Sequence, residues 1–373
     1  MSATTYIFAG GGTGGHIYPA LAIAEHLAQI APDAEFKFII SERDIDRQIL
    51  GETLLRGVNP PFVTLPALPF GGGLRGLWRF RKAWKPSVVQ AGELIAPCKA
   101  RGPTHLVAMG GFVAAPAAAA AKAAGVPITL VNIDAVPGKA NRLIARDAAR
   151  VLSTYKIPQY PRWEPIPPIV RQIAIAPFPP ADCRLKLGLV ADAPTLLITG
   201  ASQGARTINN AIILYAQAHA DDLRAKGVQI IHQTGAGDDQ AARLGYQTAD
   251  LPAVVRPFFK EMGLAWGAAD VAIARAGAGS VAEAWANAVP TIFMPYPHHK
   301  DQHQRQNAQF LVDAGGALVL DDLTDARANV AALEKILPSF LDRSSMSSRR
   351  KALRALPPPD GGVRVAQILR NLI

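Results

Sequence analysis

A chain of 373 residues, 49% hydrophobic and 18% charged, is too long for one hydrophobic core and too apolar for a disordered protein, so two globular domains are expected. Cys98 and Cys183 lack CxxC or Cys/His spacing, which excludes a disulfide scaffold and a cysteine zinc site. A formal charge of +10 calls for an anionic partner: a nucleotide, a nucleic acid or a membrane surface.

The N-terminus carries no basic segment followed by an apolar run, so no secretory signal is expected and a cytoplasmic location follows. An apolar run at 4–9 leads into Gly10, Gly11, Gly12, Thr13, Gly14, Gly15 and His16, and then into a helical apolar pattern at 19–30. Strand, glycine turn and helix in that order make an anion site, because glycine lets the backbone approach and the helix start offers unpaired N–H groups. Gly10, Gly12 and Gly15, with Glu42 beyond a second strand at 35–40, also satisfy the dinucleotide fingerprint. His16 departs from that fingerprint. A helix start disfavours a positive ring, so His16 reads either as a neutral proton acceptor or as a solvent-facing first-turn residue.

Asp44, Ile45 and Asp46 spell a formal Asp-x-Asp, yet they open an amphipathic helix at 44–55, where the dipole alone favours carboxylates, and no metal is expected. At helical spacing Leu74, Leu77, Trp78 and Arg81 fall together, with Phe80 and Trp84 beside them and five basic residues interleaved. This segment reads as a membrane-surface helix, or as one that packs its aromatics inward and solvates its arginines. The weakly polar stretch 106–131 is broken by Pro116, Lys122 and Pro127 and does not suit a bilayer span.

Strand patterns at 4–9, 35–40, 105–109, 128–131 and 150–153 alternate with helical ones, which implies parallel βαβ units. Eight prolines between 155 and 180 mark the linker. The pattern then restarts at 195–199, with a second glycine turn at 200–205 and a helix from about Thr207. Further strands are expected at 228–232, 253–257, 271–274, 291–294 and 317–320. Two such halves make a cleft that suits a ligand. In the second half Arg275 to Glu283 form a strand, a small-residue turn and a helix start. Glu283 there either closes a capping box with Ser280 or accepts hydrogen bonds from a ribose diol while residues 277–280 hold a diphosphate. Residues 295–308 are rich in polar donors and acceptors and read as a sugar-binding loop.

Five ordered motifs carry a resemblance to the MurG family of GT-B N-acetylglucosaminyltransferases: Gly11 to His16 with Pro19 to Ala22, Met109 to Phe112, Ser202 to Arg206, Arg275 to Glu283, and Asp301 to Ala308. The resemblance spans residue 4 to about residue 320. It implies two Rossmann-like α/β domains with parallel sheets facing a cleft: residues 1–160, a linker at 161–180, residues 181–355, and a last helix within 356–373 crossing back to the first domain. It implies inverting transfer of N-acetylglucosamine from UDP-N-acetylglucosamine to lipid I, a muramyl-pentapeptide on undecaprenyl diphosphate, giving lipid II for peptidoglycan.

By that resemblance His16 is the general base, and Thr13, Gly14 and Gly15 meet phosphates. Gly110, Gly111 and Phe112 line the acceptor side. Ser202, Gln203, Gly204, Phe259, Ala278, Gly279, Ser280, Glu283 and Gln304 meet the donor, and Arg171 faces its diphosphate. Leu74, Leu77, Trp78, Phe80 and Trp84 would touch an anionic membrane on its cytoplasmic side. No cofactor, metal or nucleic acid is implied. Where the family reads His-Glu-Gln-Asn, this chain has Val131, Asn132, Ile133 and Asp134. Asp134 loses the amide donors and adds a negative charge, so either sugar specificity is altered or Lys139 or Arg142 compensates. Three alternatives remain: a related GT-B enzyme with another lipid acceptor, a nicotinamide-dependent oxidoreductase or epimerase, and a non-catalytic sugar-nucleotide binder.

Overall fold

The computed structural model describes residues 3–12, 14–69, 73–200, 204–298 and 301–372, without the Leu74 side chain. The chain divides into two compact units, Met1–Arg171 with Asp360–Ile373, and Gln172–Pro359. The first unit runs β1 (Thr5–Gly10), α1 (Gly14–Ile30), β2 (Glu35–Ser41), α2 (Asp44–Gly51), β3 (Phe62–Leu65), α3 (Gly73–Arg101), β4 (Thr104–Gly110), α4 (Gly111–Ala123), β5 (Ile128–Asn132), α5 (Lys139–Ile144), β6 (Arg150–Ser153) and β7 (Glu164–Pro165). These strands form one parallel sheet in the order β3-β2-β1-β4-β5-β6-β7.

Strand β1 is buried throughout and paired on both sides, which explains its unbroken apolar run. Phe8 and Phe38 are register partners across β1 and β2, and their rings stack at 5.3 Å. Helix α4 buries alanines together with Val113 and Pro116, and these small side chains let it lie close against β4 and α3. Helix α1 begins at Gly14, ahead of the expected 19–30, because Pro19 in its second turn forfeits a single backbone bond. Helix α2 stops at Gly51, short of the expected 55. Arg56 and Gly57 take positive φ there, and Leu55 bridges back to Val58.

The second unit runs α6 (Pro180–Lys186), β8 (Thr195–Thr199), α7 (Arg206–Ala218), α8 (Ala220–Ala225), β9 (Gln229–Gln233), α9 (Asp239–Thr248), β10 (Ala253–Arg256), α10 (Met262–Ala268), β11 (Val271–Ala274), α11 (Ala278–Ala286), β12 (Thr291–Phe293), α12 (His303–Asp313), β13 (Ala317–Val319), α13 (Ala326–Glu334), α14 (Leu337–Phe340) and α15 (Arg343–Arg354). Its parallel sheet has the order β10-β9-β8-β11-β12-β13. Alternate strand residues feed two cores: Leu196, Ile198 and Ile230 join Tyr215, Tyr246 and Phe340, while Leu197 and Ile231 join Trp266, Phe293 and Leu311.

Helix α16 (Gly361–Arg370) returns the chain to the first unit, where it packs on α1 and its Leu369 carbonyl accepts from Tyr6 Oη at 3.3 Å. The proline-rich stretch 161–180, expected as a linker, contains the boundary between the two units and also builds structure. It supplies β7 and then receives the start of α16. Gly361 N donates to the Pro168 carbonyl at 3.0 Å, and a Cβ on Gly361 would lie 2.0 Å from the Pro167 carbonyl oxygen. Among the described residues no helix is long and apolar enough to cross a membrane.

Candidate functional site

At the carboxyl edge of the first sheet the β1–α1 and β4–α4 junctions meet, with Gly10 and Gly110 as register partners. Gly111 has φ +77°, and a Cβ on it would lie 2.7 Å from the Gly11 carbonyl oxygen and 3.2 Å from His16 Nδ1. His16 therefore projects from the first turn of α1 into a space shared with bare backbone. It is half-buried. Burial pulls its pKa below 6.5, against the opposing effect of Asp134, Asp46 and the Gly11 carbonyl. A neutral ring was expected from the helix dipole; here desolvation is the larger cause. Nδ1 is buried beside the Gly11 carbonyl without a well-formed hydrogen bond.

Around this ring the remaining first-unit candidates take different places. Gly14 is buried and Gly15 is exposed at the helix start, while Thr13 lies outside the described residues. A Cβ on Gly110 would come 2.6 Å from Asn141 Oδ1, and the Phe112 ring covers Gly12. Asp134 follows β5, and its charge raises the pKa of both His16 and Tyr155. Beneath it, buried Asn132 donates to the Asp134 carbonyl at 2.8 Å and to Ser153 Oγ at 3.0 Å, and accepts from Asn141 Nδ2 at 2.8 Å. Arg171 was expected to face a diphosphate. Its guanidinium is bound to Glu25 of α1 through Nε at 3.1 Å and Nη2, with its Cζ 5.8 Å from the Tyr18 ring.

The carboxyl edge of the second sheet repeats the junction. Gly204, at φ +71°, passes so close to residue 234 that a Cβ would sit 2.0 Å from the Thr234 carbonyl oxygen. Ser202 and Gln203 lie outside the described residues, as do His299 and Lys300 of the polar loop. Arg275 ties this edge together. It donates to the Met294 and Pro295 carbonyls, to Asp322 Oδ2 at 2.7 Å and to Thr207 Oγ1 at 2.8 Å. Burial works to raise the Asp322 pKa, but hydrogen bonds from Thr207, Asn329, the Thr324 backbone and Arg275 prevail and hold it low.

Ala278, Gly279 and Ser280 form the first turn of α11, with Gly277 as the N-cap. Glu283 does not cap that helix. Its Oε2 accepts from Trp266 Nε1 at 2.8 Å, and burial pushes its pKa up to about 7 against that hydrogen bond. Gln304 Oε1 accepts from the Tyr296 backbone at 2.8 Å, which fixes the polar loop on α12. The Phe259 side chain is 2% exposed and belongs to the core, and its N–H is taken by Gln233 Oε1. Sequence reasoning therefore placed the turns but not their supports: Asn141, Trp266, Thr207 and Asp322 touch them from 17 or more residues away and share no motif with them.

Each unit thus offers a helix start suited to a phosphate, one beside a neutral imidazole and the other beside a half-buried carboxylate. Residues 6–153 match the glycosyltransferase family 28 N-terminal domain, and residues 195–355 match the C-terminal domain of the same family. The chain belongs to glycosyltransferase family 28, among its MurG members. A Nocardioides relative is 34% identical over 370 residues, covering 98% of this chain and 97% of its own, and is named UDP-N-acetylglucosamine--N-acetylmuramyl-(pentapeptide) pyrophosphoryl-undecaprenol N-acetylglucosamine transferase. A Desulforudis audaxviator relative of the same name is 34% identical and covers 98% of each chain. The crystal structure of Acinetobacter baumannii MurG superposes with a TM-score of 0.71 at 24% identity, covering 99% of both chains, and places the fold as GT-B. Family 28 membership makes this chain a hexosyltransferase and removes the nicotinamide alternative.

Glu283 gives this family 28 chain a pH signature. Unfolded, the carboxyl titrates near 4.5; folded, it titrates near 7. Between those values the folded state holds a proton that the unfolded state has lost, so stability falls as pH rises through the window. Thermal melts of the native chain and of Glu283→Gln should show the native protein losing ground to the variant from about pH 5 to 7 and holding level on either side. A difference that stays flat across that range contradicts the assignment.

Proposed function

We propose that this enzyme transfers N-acetylglucosamine from UDP-N-acetylglucosamine to the N-acetylmuramyl-pentapeptide on undecaprenyl diphosphate, completing lipid II. The observation that carries the substrate pair is the relatives' shared name, over 98% of this chain. The first unit takes the acceptor. Gly14 and Gly15 with Thr13 meet phosphate at the start of α1, and Gly110 and Gly111 line the sugar beside His16. The second unit takes the donor: Ser202, Gln203 and Gly204 with residues 278–280 cradle the UDP diphosphate, Glu283 accepts from the ribose hydroxyls through Oε1, and Gln304 contacts the sugar.

The chemistry is one displacement. His16 Nε2 takes the proton of the acceptor hydroxyl as its oxygen bonds to the anomeric carbon. The bond from that carbon to the diphosphate oxygen breaks, and UDP leaves with the electron pair, stabilised by the start of α11. Asp46 of the Asp-x-Asp accepts from Gly12 and Ser41 inside the first unit, a backbone-holding role that accounts for it without a metal.

A lipid-linked acceptor places α3 at an anionic membrane surface, on the cytoplasmic side. Trp78 is 63% exposed with Lys82 Nζ 5.2 Å from its ring centroid, and with Arg79 it lines a cavity of about 320 Å³ that also includes Pro66, Leu68 and Pro86. Leu77 and Phe80 are half-buried, and Trp84 packs against the core, so of the aromatic residues Trp78 is the one turned outward.

Radiolabelled N-acetylglucosamine should pass from its UDP donor to a lipid I analogue in the presence of EDTA, and His16→Ala should lower kcat by about 10²-fold or more. Transfer lost on adding EDTA, or a variant as active as the native chain, contradicts this mechanism. In flotation assays, vesicles containing anionic lipid should retain the native chain and lose most of a Trp78→Ser/Lys82→Glu variant. Equal retention of the two sinks the membrane role of α3.

A further inference from the structure

The peptide unit joining Gly11 to Gly12 is engaged from both ends. Its N–H donates to Asp46 Oδ2 at 2.7 Å, and its carbonyl lies beside the His16 ring and raises the pKa of that ring. Asp46 stands in the first turn of α2, wholly buried, and the same oxygen accepts from the Ser41 backbone at 3.3 Å and from Ser41 Oγ. No side chain fits between these groups. A Cβ on Gly11 would lie 2.6 Å from Asp46 Oδ2, and a Cβ on Gly111 would lie 2.7 Å from the Gly11 oxygen and 3.2 Å from His16 Nδ1. Carboxylate, peptide and imidazole are therefore in succession, with backbone as the middle member.

A peptide whose N–H is bound to an anion becomes polarised, and its carbonyl accepts more strongly. A carboxylate that holds a catalytic imidazole by Nδ1–H fixes the tautomer and steadies the imidazolium that forms. We propose that Asp46 is a positioning residue for His16, acting through the Gly11–Gly12 peptide, which keeps the proton on Nδ1 and leaves Nε2 bare to take the acceptor's proton. This rests on the reading of His16 as the base. The Nδ1 contact falls short of full hydrogen-bond geometry, and catalytic hydrogen bonds commonly tighten only in the complex with substrate.

Other charges near the ring are few. Asp134 approaches from the loop after β5, and Arg43 donates to the Gly12 carbonyl while its Cζ lies 5.4 Å from the Phe112 ring centroid. The turn that closes over His16, Gly110 to Phe112, brings no charge, while α5, whose Asn141 meets Gly110, carries Lys139 and Arg142. Both aspartates favour a proton on His16, so removing the charge of Asp46 makes the ring a weaker base.

The test is the pH profile of kcat in the full-length enzyme, read by UDP release with a lipid I analogue. Asp46→Asn should lower kcat tenfold or more, leave the donor KM within about twofold, and move the acid limb to lower pH. In a His16→Ala background the same change should cost less than about twofold. Ser41→Ala removes a donor from the carboxylate and leaves its charge less compensated, so its acid limb should move to higher pH, a readout that stands if Asp46→Asn does not fold. Unmoved acid limbs, or losses that multiply in the double variant, would reduce Asp46 to a packing role and overturn the proposal. A His16→Ala enzyme that keeps its rate would instead unseat the base itself.

Discussion

Where β1 and β4 run into their helices there is room for backbone and nothing more. A Cβ on Gly10, Gly11, Gly12, Gly110 or Gly111 would come within 3 Å of Met109, Asp46, Phe112, Asn141 or the Gly11 carbonyl, in that order. That exclusion sets the chemistry of the first unit. It keeps the peptide groups bare, it brings α4 against the sheet on a face of alanines, and it leaves His16 as the one titratable side chain of that loop. Desolvation then holds the ring neutral while two aspartates restore part of its basicity.

The second unit uses the same parallel architecture for a different task. Its edge is stiffened by an ion pair, Arg275 with Asp322, whose other hydrogen bonds run to Thr207, Asn329 and backbone groups. A buried pair of that kind contributes definition more than stability, because its desolvation offsets much of its attraction. Behind Gly204, Asn209 Nδ2 donates to the Thr234 carbonyl, so Asn209 Oδ1 must accept from His232 Nε2–H, and His232 Nδ1 must accept from Tyr246 Oη. Burial lowers the His232 pKa to about 3, so this chain of hydrogen bonds keeps one tautomer across working pH. One sheet edge thus carries an imidazole whose pKa is held low, and the other a carboxyl that titrates near 7.

How much of this was legible in the sequence follows from the range of each interaction. Strand runs and glycine turns are local, and their placements at 150–153, 195–199 and 271–274 coincide with β6, β8 and β11. Strand β3 has mixed exposure and β7 only two residues, so neither shows a periodic pattern. Asp46 was read as a dipole-favoured helix opener because its partner, Gly12, lies 34 residues earlier. The diphosphate-facing role of Arg171 came from the resemblance, and its contact with Glu25, 146 residues away, left no signal in the sequence. The outward tryptophan of α3 could not be told from the inward one by spacing, since the core that Trp84 joins is built by β1, β4 and α4.

The central claim is a single displacement driven by one base, with no glycosyl group ever attached to the enzyme. The anomeric configuration of the new linkage tests it most directly, read from the H1–H2 coupling in the proton NMR spectrum of the product. Starting from the α-linked UDP donor, the account predicts a β-linked sugar. An α-linked product would mean two inversions or a front-side attack, and would contradict the role given to His16.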